Sequence, residues 1–274
     1  MAVVRIVTAL VERAALRLAN LQMCLHALLP ALLPPDELMR LTRRYYDSSY
    51  RNIPARDLEH AYRWTLEPWE EGVIARHLHP RGRILVLGSG VGRESLALAR
   101  CGFTVFGLDA SFECLQVARR RAATTSTVAH FVQGDFSALP SHPGQFDAVL
   151  LCGVMYSAIP GRTRRLSYLK EFHRALRPGG KVVLNFLVSL DPSIGMQPRL
   201  GQAAMWLHRQ FHANPEYQPG DSCTCGHFAH TFATLDEVRT ELEHAGIELL
   251  DLNWQEGFAV LCRGTSTHQT IPVN

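Results

Sequence analysis

The sequence predicts an α/β protein built on a doubly wound, Rossmann-like parallel sheet with a helical N-terminal extension. Three observations predict it. Apolar runs alternate with helical stretches from residue 83 onward. The first run, "RILVL" (83–87), enters a glycine turn, "GSGVG" (88–92), that opens a helix. The next two runs each end at an acid, Asp109 and then Asp135. Strands separated by helices pair in parallel and are covered on both faces.

Taken in order, residues 3–29 carry apolar residues at helical spacing (Val4, Val7, Val11, Ala14, Leu18, Leu21, Leu25, Leu28) and group Arg5, Glu12, Arg13 and Arg17 on another face. Such a helix packs on the main domain or on a second copy of the chain. Pro30, Pro34 and Pro35 are expected to close it. Residues 36–80 read as helical and aromatic-rich (Tyr45, Tyr46, Tyr50, Tyr62, Trp64, Trp69), placed where a lid over the glycine turn would lie. Strands follow at 83–87, 103–108, 129–133, 146–151, 181–187, 247–253 and 257–263. Helices are expected at 92–101, 112–122, 163–176 and 234–245. Ser111 can cap the second of these, and "TLDE" (234–237) reads as a capping box for the last. The resulting division is an extension over 1–80, a main domain over 81–264 with an insertion at 188–229, and a tail over 265–274.

Composition narrows the function classes. With 47% hydrophobic and 19% charged residues the chain is an ordinary soluble globular protein rather than a disordered one. A net charge of +3, with no basic block longer than "RRR" (119–121), excludes nucleic acid as the expected partner. Seven cysteines, mostly in apolar or helical contexts, suit a reducing compartment. Early charges break any signal-peptide layout, and Asn20, Gln22, His26 and Pro30 interrupt the longest uncharged run, so a cytoplasmic protein without membrane association is expected.

The glycine turn is not a dinucleotide fingerprint, because G-x-G-x-x-G needs its third glycine where Arg93 stands. Nor is it a Walker loop, which needs Gly-Lys-Ser/Thr. An acid at the end of the second strand can accept hydrogen bonds from both hydroxyls of a ribose, and an acid after the third can accept from an adenine amino group. Glycine turn, acid and acid at successive strand ends therefore specify a nucleoside without a phosphate signature.

With "LVLGSGVGRE", "VFGLDAS", "VQGDFSALP", "FDAVLLCGVMYSAI" and "LRPGGKVVL" in order, residues 80–190 resemble the class I S-adenosylmethionine-dependent methyltransferases, and "HTFATLDEVRTELEHAGIELLDL" (230–252) resembles that family's last helix and sixth strand. The resemblance implies a seven-stranded sheet whose last strand is antiparallel, with S-adenosylmethionine as the cofactor. It also implies that Gly88, Ser89, Gly90 and Gly92 face the methionine portion, Asp109 with Ala110 the ribose, Asp135 with Phe136 the adenine, and Cys152 with Gly153 the reactive methyl. The chain departs from the family at Val86, where an acid usually helps anchor the methionine amino group.

The activity so implied is transfer of a methyl group to an oxygen or nitrogen of a small-molecule acceptor by in-line displacement. Alignment of the reactants alone can lower such a barrier by roughly 7–11 kcal/mol. An alcohol or ammonium acceptor also needs a base. His230 is the first candidate and Tyr156 the second, and Trp206, Phe211 and Tyr217 are available to line the acceptor pocket. "GDSCTCGHFAH" (220–230) gathers Cys223, Cys225, His227 and His230, but its C-x-C and H-x-x-H spacings are tighter than zinc templates. No metal is therefore expected; a turn at "PGD" followed by a strand is. Two alternatives stand beside the main reading: a metalloid or thiol methyltransferase using Cys152, Cys223 and Cys225, and a binding protein that keeps the fold without turnover. A small-molecule substrate and a homodimer through the N-terminal helices are the expected partners.

Overall fold

The structure is a computed structural model that describes residues 2–51, 65–140, 142–190 and 198–264. Tyr62, Trp64 and the tail over 265–274 lie outside the described residues. Two helices come first, α1 (Ala2–Leu32) and α2 (Pro35–Arg51), then α3 (Pro68–His77). The alternating part runs β1 (Arg83–Leu87), α4 (Arg93–Arg100), β2 (Thr104–Asp109), α5 (Phe112–Thr124), β3 (Ala129–Gln133), β4 (Phe146–Leu151), α6 (Arg162–Ala175) and β5 (Leu176–Asn185). The insertion holds β6 (Leu187–Val188), α7 (Pro198–Phe211), β7 (Asp221–Thr224) and β8 (His227–Phe232). The chain closes with α8 (Leu235–Glu243), β9 (Glu248–Asn253) and β10 (Phe258–Cys262).

Seven strands form one sheet in the order β3-β2-β1-β4-β5-β10-β9. The first five are parallel, and β10 lies antiparallel between β5 and β9. Side chains alternate across a strand, so β1 feeds both faces. Ile84 and Val86 join Val73 of α3 and Leu98 of α4, whereas Leu85 and Leu87 join Leu169 and Phe172 of α6. Burial on both faces is why the strands read as continuous apolar runs.

The caps act largely as the sequence predicts. Ser111 Oγ accepts from the Cys114 amide at 3.2 Å, and Thr234 Oγ1 from the Glu237 amide at 3.1 Å. Glu237 returns its half of the exchange to the Ala233 amide, one residue before the cap. Two expectations are corrected. Pro30 does not end α1, which runs on to Leu32; Asn214 donates a 2.7 Å hydrogen bond to its carbonyl. The fifth strand begins at Leu176 rather than 181, because Gly179 and Gly180 exchange backbone hydrogen bonds with Arg263 beyond β10.

The insertion folds onto the N-terminal helices. β8 lies between β7 and β6 in a second, three-stranded sheet. α1 packs on α7 and β7, and α2 packs on β8. Residues 13–32 of α1 are long and apolar enough to cross a membrane by composition alone, and Val11, Leu18, Leu21 and Leu25 are exposed along this helix. Packing of α2 on β8 sets one wall of the site.

Candidate active site

The turn after β1 is held by its own backbone and by the end of β2. The Ser89 amide donates to the Leu108 carbonyl at 3.0 Å, and the Gly92 amide to the Ser89 carbonyl at 2.8 Å. Gly90 adopts φ +49°, in the left-handed region, and its amide donates to Asp109 Oδ2 at 2.7 Å. Asp109 Oδ1 accepts from the Ser111 amide at 2.8 Å. Both carboxylate oxygens are thus fixed by backbone donors while the group borders the cavity. Burial pushes the Asp109 carboxyl above its ordinary value, and those backbone bonds pull against the rise. Gly92, at φ +90°, starts α4; a Cβ there would meet the Ala118 Cβ of α5 at 3.0 Å. The close helix approach that a dinucleotide site obtains from its third fingerprint glycine is obtained here one residue before Arg93.

A cavity of about 560 Å³ opens beside this turn, within the usual range for small-molecule sites. Gly88, Gly90, Asp109, Ala110, Ser111, Gln133, Gly134, Asp135 and Phe136 line one side, all at the carboxyl ends of β1, β2 and β3. Met155, Ala158, Ile159 and Tyr168 line another. A third wall is α2, through Met39, Thr42, Arg43, Tyr46 and Asp47. Those five fall on one helix face, as 39, then 42 and 43, then 46 and 47, each step three to four residues on. Arg43 forms an ion pair with Asp135 across the mouth, and the Tyr46 hydroxyl lies 2.9 Å from His227 Nε2.

Of the predicted site residues, Gly88, Gly90, Asp109, Ala110, Asp135 and Phe136 border the cavity together. Ser89, Gly92, Cys152 and Gly153 do not; Ser89, Gly92 and Cys152 are buried behind the turn, and Gly153 is exposed beside it. Both base candidates are corrected. Tyr156 is 0% exposed, donates to Glu241 Oε1 at 2.7 Å and stacks on Phe232. His230 is also 0% exposed, with Nδ1 2.8 Å from Asp221 and Nε2 3.3 Å from Glu237. Neither borders the cavity. Trp206 and Phe211 point outward at 58% and 63% exposure, and Tyr217 packs with Ala31 and Ala204, so none of the three lines the cavity.

The thiols do not assemble a metalloid site. Among the described residues the group of three possible ligands that converges is Glu70, Glu94 and Cys152, without Cys223 or Cys225. A cation already occupies it: the Arg93 guanidinium reaches both oxygens of Glu70 at 2.8 Å and Glu94 at 2.6 Å. Burial and the two carboxylates hold the Cys152 thiol well above its ordinary value, so it stays protonated. Where the family carries an acid at position 86, this chain buries Val86 and places its carboxylates on the flanking helices α3 and α4.

The chemistry of this donor set suits S-adenosylmethionine. A fixed carboxylate at the end of β2 suits ribose hydroxyls, Asp135 and Phe136 suit a purine edge and face, and the glycine turn leaves room at Gly90 where a Cβ would meet only the Gly88 carbonyl oxygen at 4.0 Å. Residues 84–180 match the family model for a methyltransferase domain. A demethylmenaquinone methyltransferase of Clavibacter sepedonicus is 38% identical over 102 residues, which are 37% of this chain and 40% of that protein. A ubiquinone biosynthesis O-methyltransferase of Ruegeria pomeroyi is 31% identical over 171 residues, 62% and 61% of the two chains. The chain thus spans about half the length of the curated relatives it matches. The same fold occurs in the 1,6-didemethyltoxoflavin-N1-methyltransferase of Burkholderia thailandensis, solved with its substrate and S-adenosylhomocysteine (TM-score 0.60, 19% identity, 85% of this chain and 92% of that one). It occurs too in a SAM-dependent methyltransferase of Methanosarcina mazei (TM-score 0.54, 22% identity, 74% and 100%). Residues 84–180 thus match a methyltransferase domain, and the sheet that holds them has the fold of S-adenosylmethionine-dependent methyltransferases.

Proposed function

We propose that the protein transfers a methyl group from S-adenosylmethionine to an oxygen or nitrogen of a small, largely apolar acceptor held beneath α2. One observation carries this reading: a single cavity joins the Gly88–Asp109–Asp135 edge to the apolar side chains of Met39, Met155, Ala158 and Ile159. The first part suits a nucleoside, and the second is not needed for one.

The bound cofactor supplies an activated methyl group on a sulfonium. The chain's residues supply position and dryness. Asp109 fixes the sugar through hydroxyls, which sets how far the methyl projects along the turn. α2 covers the cavity through Met39, Thr42 and Tyr46 and excludes water from the reacting atoms. Held in line, the acceptor gains the proximity advantage that dominates uncatalysed-to-catalysed differences in such displacements. The relatives in quinone biosynthesis act, by their names, on oxygen and on demethylmenaquinone, which supports an apolar ring as the acceptor body.

Titration calorimetry with S-adenosylhomocysteine, followed by incubation of the protein with methyl-labelled donor and a metabolite extract, tests the proposal. Binding together with label appearing in a small organic-soluble product supports it. No binding of the nucleoside refutes it.

A further inference from the structure

Two histidines on β8 have opposite fates. His227 and His230 are three residues apart, an odd separation, so a strand turns them to opposite faces. His230 faces the core and is taken up by Asp221 and Glu237. His227 faces α2, where its Nε2 stands 2.9 Å from the Tyr46 hydroxyl, and Tyr46 itself lines the cavity. The same hydroxyl is 3.6 Å from Met155 Sδ, and a Cβ at Gly88 would lie 3.5 Å from Met155 Cε. One methionine side chain therefore separates the Tyr46 hydroxyl from the first glycine of the turn.

The pair is held in place by its surroundings. The Tyr46 and His227 rings meet edge to face with centroids 5.2 Å apart, and the Tyr45 ring flanks the imidazole at 5.1 Å. The Phe228 amide donates to Thr42 Oγ1 at 3.0 Å, which ties β8 to the same face of α2. Of the charged groups on that face, Arg43 is paired with Asp135 and Asp47 borders the cavity near Asp109. Burial alone pushes the His227 imidazole below its ordinary value. It is consequently neutral at neutral pH and free to accept a proton.

We propose that Tyr46 and His227 form a proton relay for methylation of an acidic hydroxyl, a phenol or enol, with Tyr46 as the catalytic residue and His227 as the positioning residue that takes up the proton. The inference rests on the methyltransferase reading above. The acceptor oxygen bonds to the methyl carbon as the carbon–sulfur bond breaks and leaves its electron pair on sulfur. The acceptor proton passes to Tyr46 Oη, and the Tyr46 proton passes to His227 Nε2. The positive charge lost from the sulfonium ends on the imidazolium, which releases its proton to water. A carboxylate acceptor would need no such relay.

The test uses the full chain, methyl-labelled S-adenosylmethionine, and a phenol series of rising acidity from phenol to 4-nitrophenol. In Tyr46→Phe and His227→Ala, kcat on the least acidic phenols should fall about a hundredfold or more, with KM and the affinity for S-adenosylhomocysteine little changed. The loss should shrink as the phenol becomes more acidic, and added imidazole should partly restore His227→Ala. Three results overturn the relay and leave the methyltransferase reading intact: an equal loss across the series, retention of kcat within about threefold, or no phenol methylated by a protein that binds S-adenosylhomocysteine. Failure of the unmodified protein to bind that nucleoside overturns both.

Discussion

Arg43 of α2 is ion-paired with Asp135, the acid that follows β3, so a lid residue and a nucleoside-side residue meet across the mouth of the cavity. Both side chains are partly exposed, and a pair of that kind contributes only ~0–1 kcal/mol to folding. Its consequence lies in the dynamics of α2. Arg43→Ala should leave the melting temperature nearly unchanged while α2 opens more often over the bound nucleoside. Stopped-flow dissociation of S-adenosylhomocysteine should be several-fold faster in the variant, and the difference should shrink at high salt. An unchanged off-rate would show that this contact does not retain the ligand.

Asp109 has a different energetic position, because its carboxylate accepts from both the Gly90 and Ser111 amides while it borders the cavity. Asp109→Ala removes the ribose acceptor and at the same time frees two backbone donors that shape the turn. Hydrogen bonds to a charged group are worth about 1.5–3 kcal/mol each, so the affinity for S-adenosylhomocysteine should fall at least about tenfold by calorimetry. Asp109→Asn keeps one acceptor and should fall between the two. Equal affinity in all three proteins would remove the carboxylate from the binding site.

Tyr156, Arg165 and Glu241 form a buried polar knot between α6, α8 and the segment after β4. Arg165 reaches Glu241 through Nε at 2.6 Å and Nη2 at 2.7 Å, and Tyr156 adds a third bond to the same carboxylate. Breaking a buried pair by removing one partner costs about 3–5 kcal/mol, whereas losing one hydroxyl that leaves the pair intact costs about 1–2 kcal/mol. Glu241→Leu should therefore destabilise the protein far more than Tyr156→Phe in urea unfolding. The folded Tyr156→Phe protein should keep its kcat, as a structural residue must.

The legible parts of this molecule are those fixed by local rules. Apolar runs, the glycine turn, the Ser111 and Thr234 caps and the two strand-end acids all depend on neighbours close in sequence, and each stands where the sequence puts it except the start of the fifth strand. Tyr156 and His230 lie off the cavity for one reason. Their positions along the chain are near the site, but which way a side chain faces after a strand end or along a short strand is set by tertiary packing. The same packing brings Tyr46 to His227 across a long stretch of chain. A partial signal was present, since Met39, Thr42, Arg43, Tyr46 and Asp47 repeat at helical spacing. That stripe is mostly polar, however, so it does not read as a core face. Arg93 was legible only as a missing glycine; its bridge to Glu70 and Glu94 requires α3, which no local pattern places beside α4.

His230 supplies a pH test of this packing. Burial disfavours its charged form, but contacts with Asp221 and Glu237 outweigh burial and the repulsion from Arg165, so the imidazole is raised above its ordinary value. A raised histidine contributes stability that is fully present below the unfolded-state value, near about 6.5, and is lost as pH rises through the folded-state value. Glu237, lowered against burial chiefly by His230 and the Ala233 amide, adds stability in the opposite sense, lost only on acidification. The melting temperature of the unmodified protein should thus decline as pH rises above about 6.5 and through the raised folded-state value. His230→Gln should melt lower at the acid end of that window and show a flatter profile across it, with the two curves converging on the alkaline side. Parallel curves would mean that the imidazole is neutral in the fold and that Asp221 holds it by a hydrogen bond without charge.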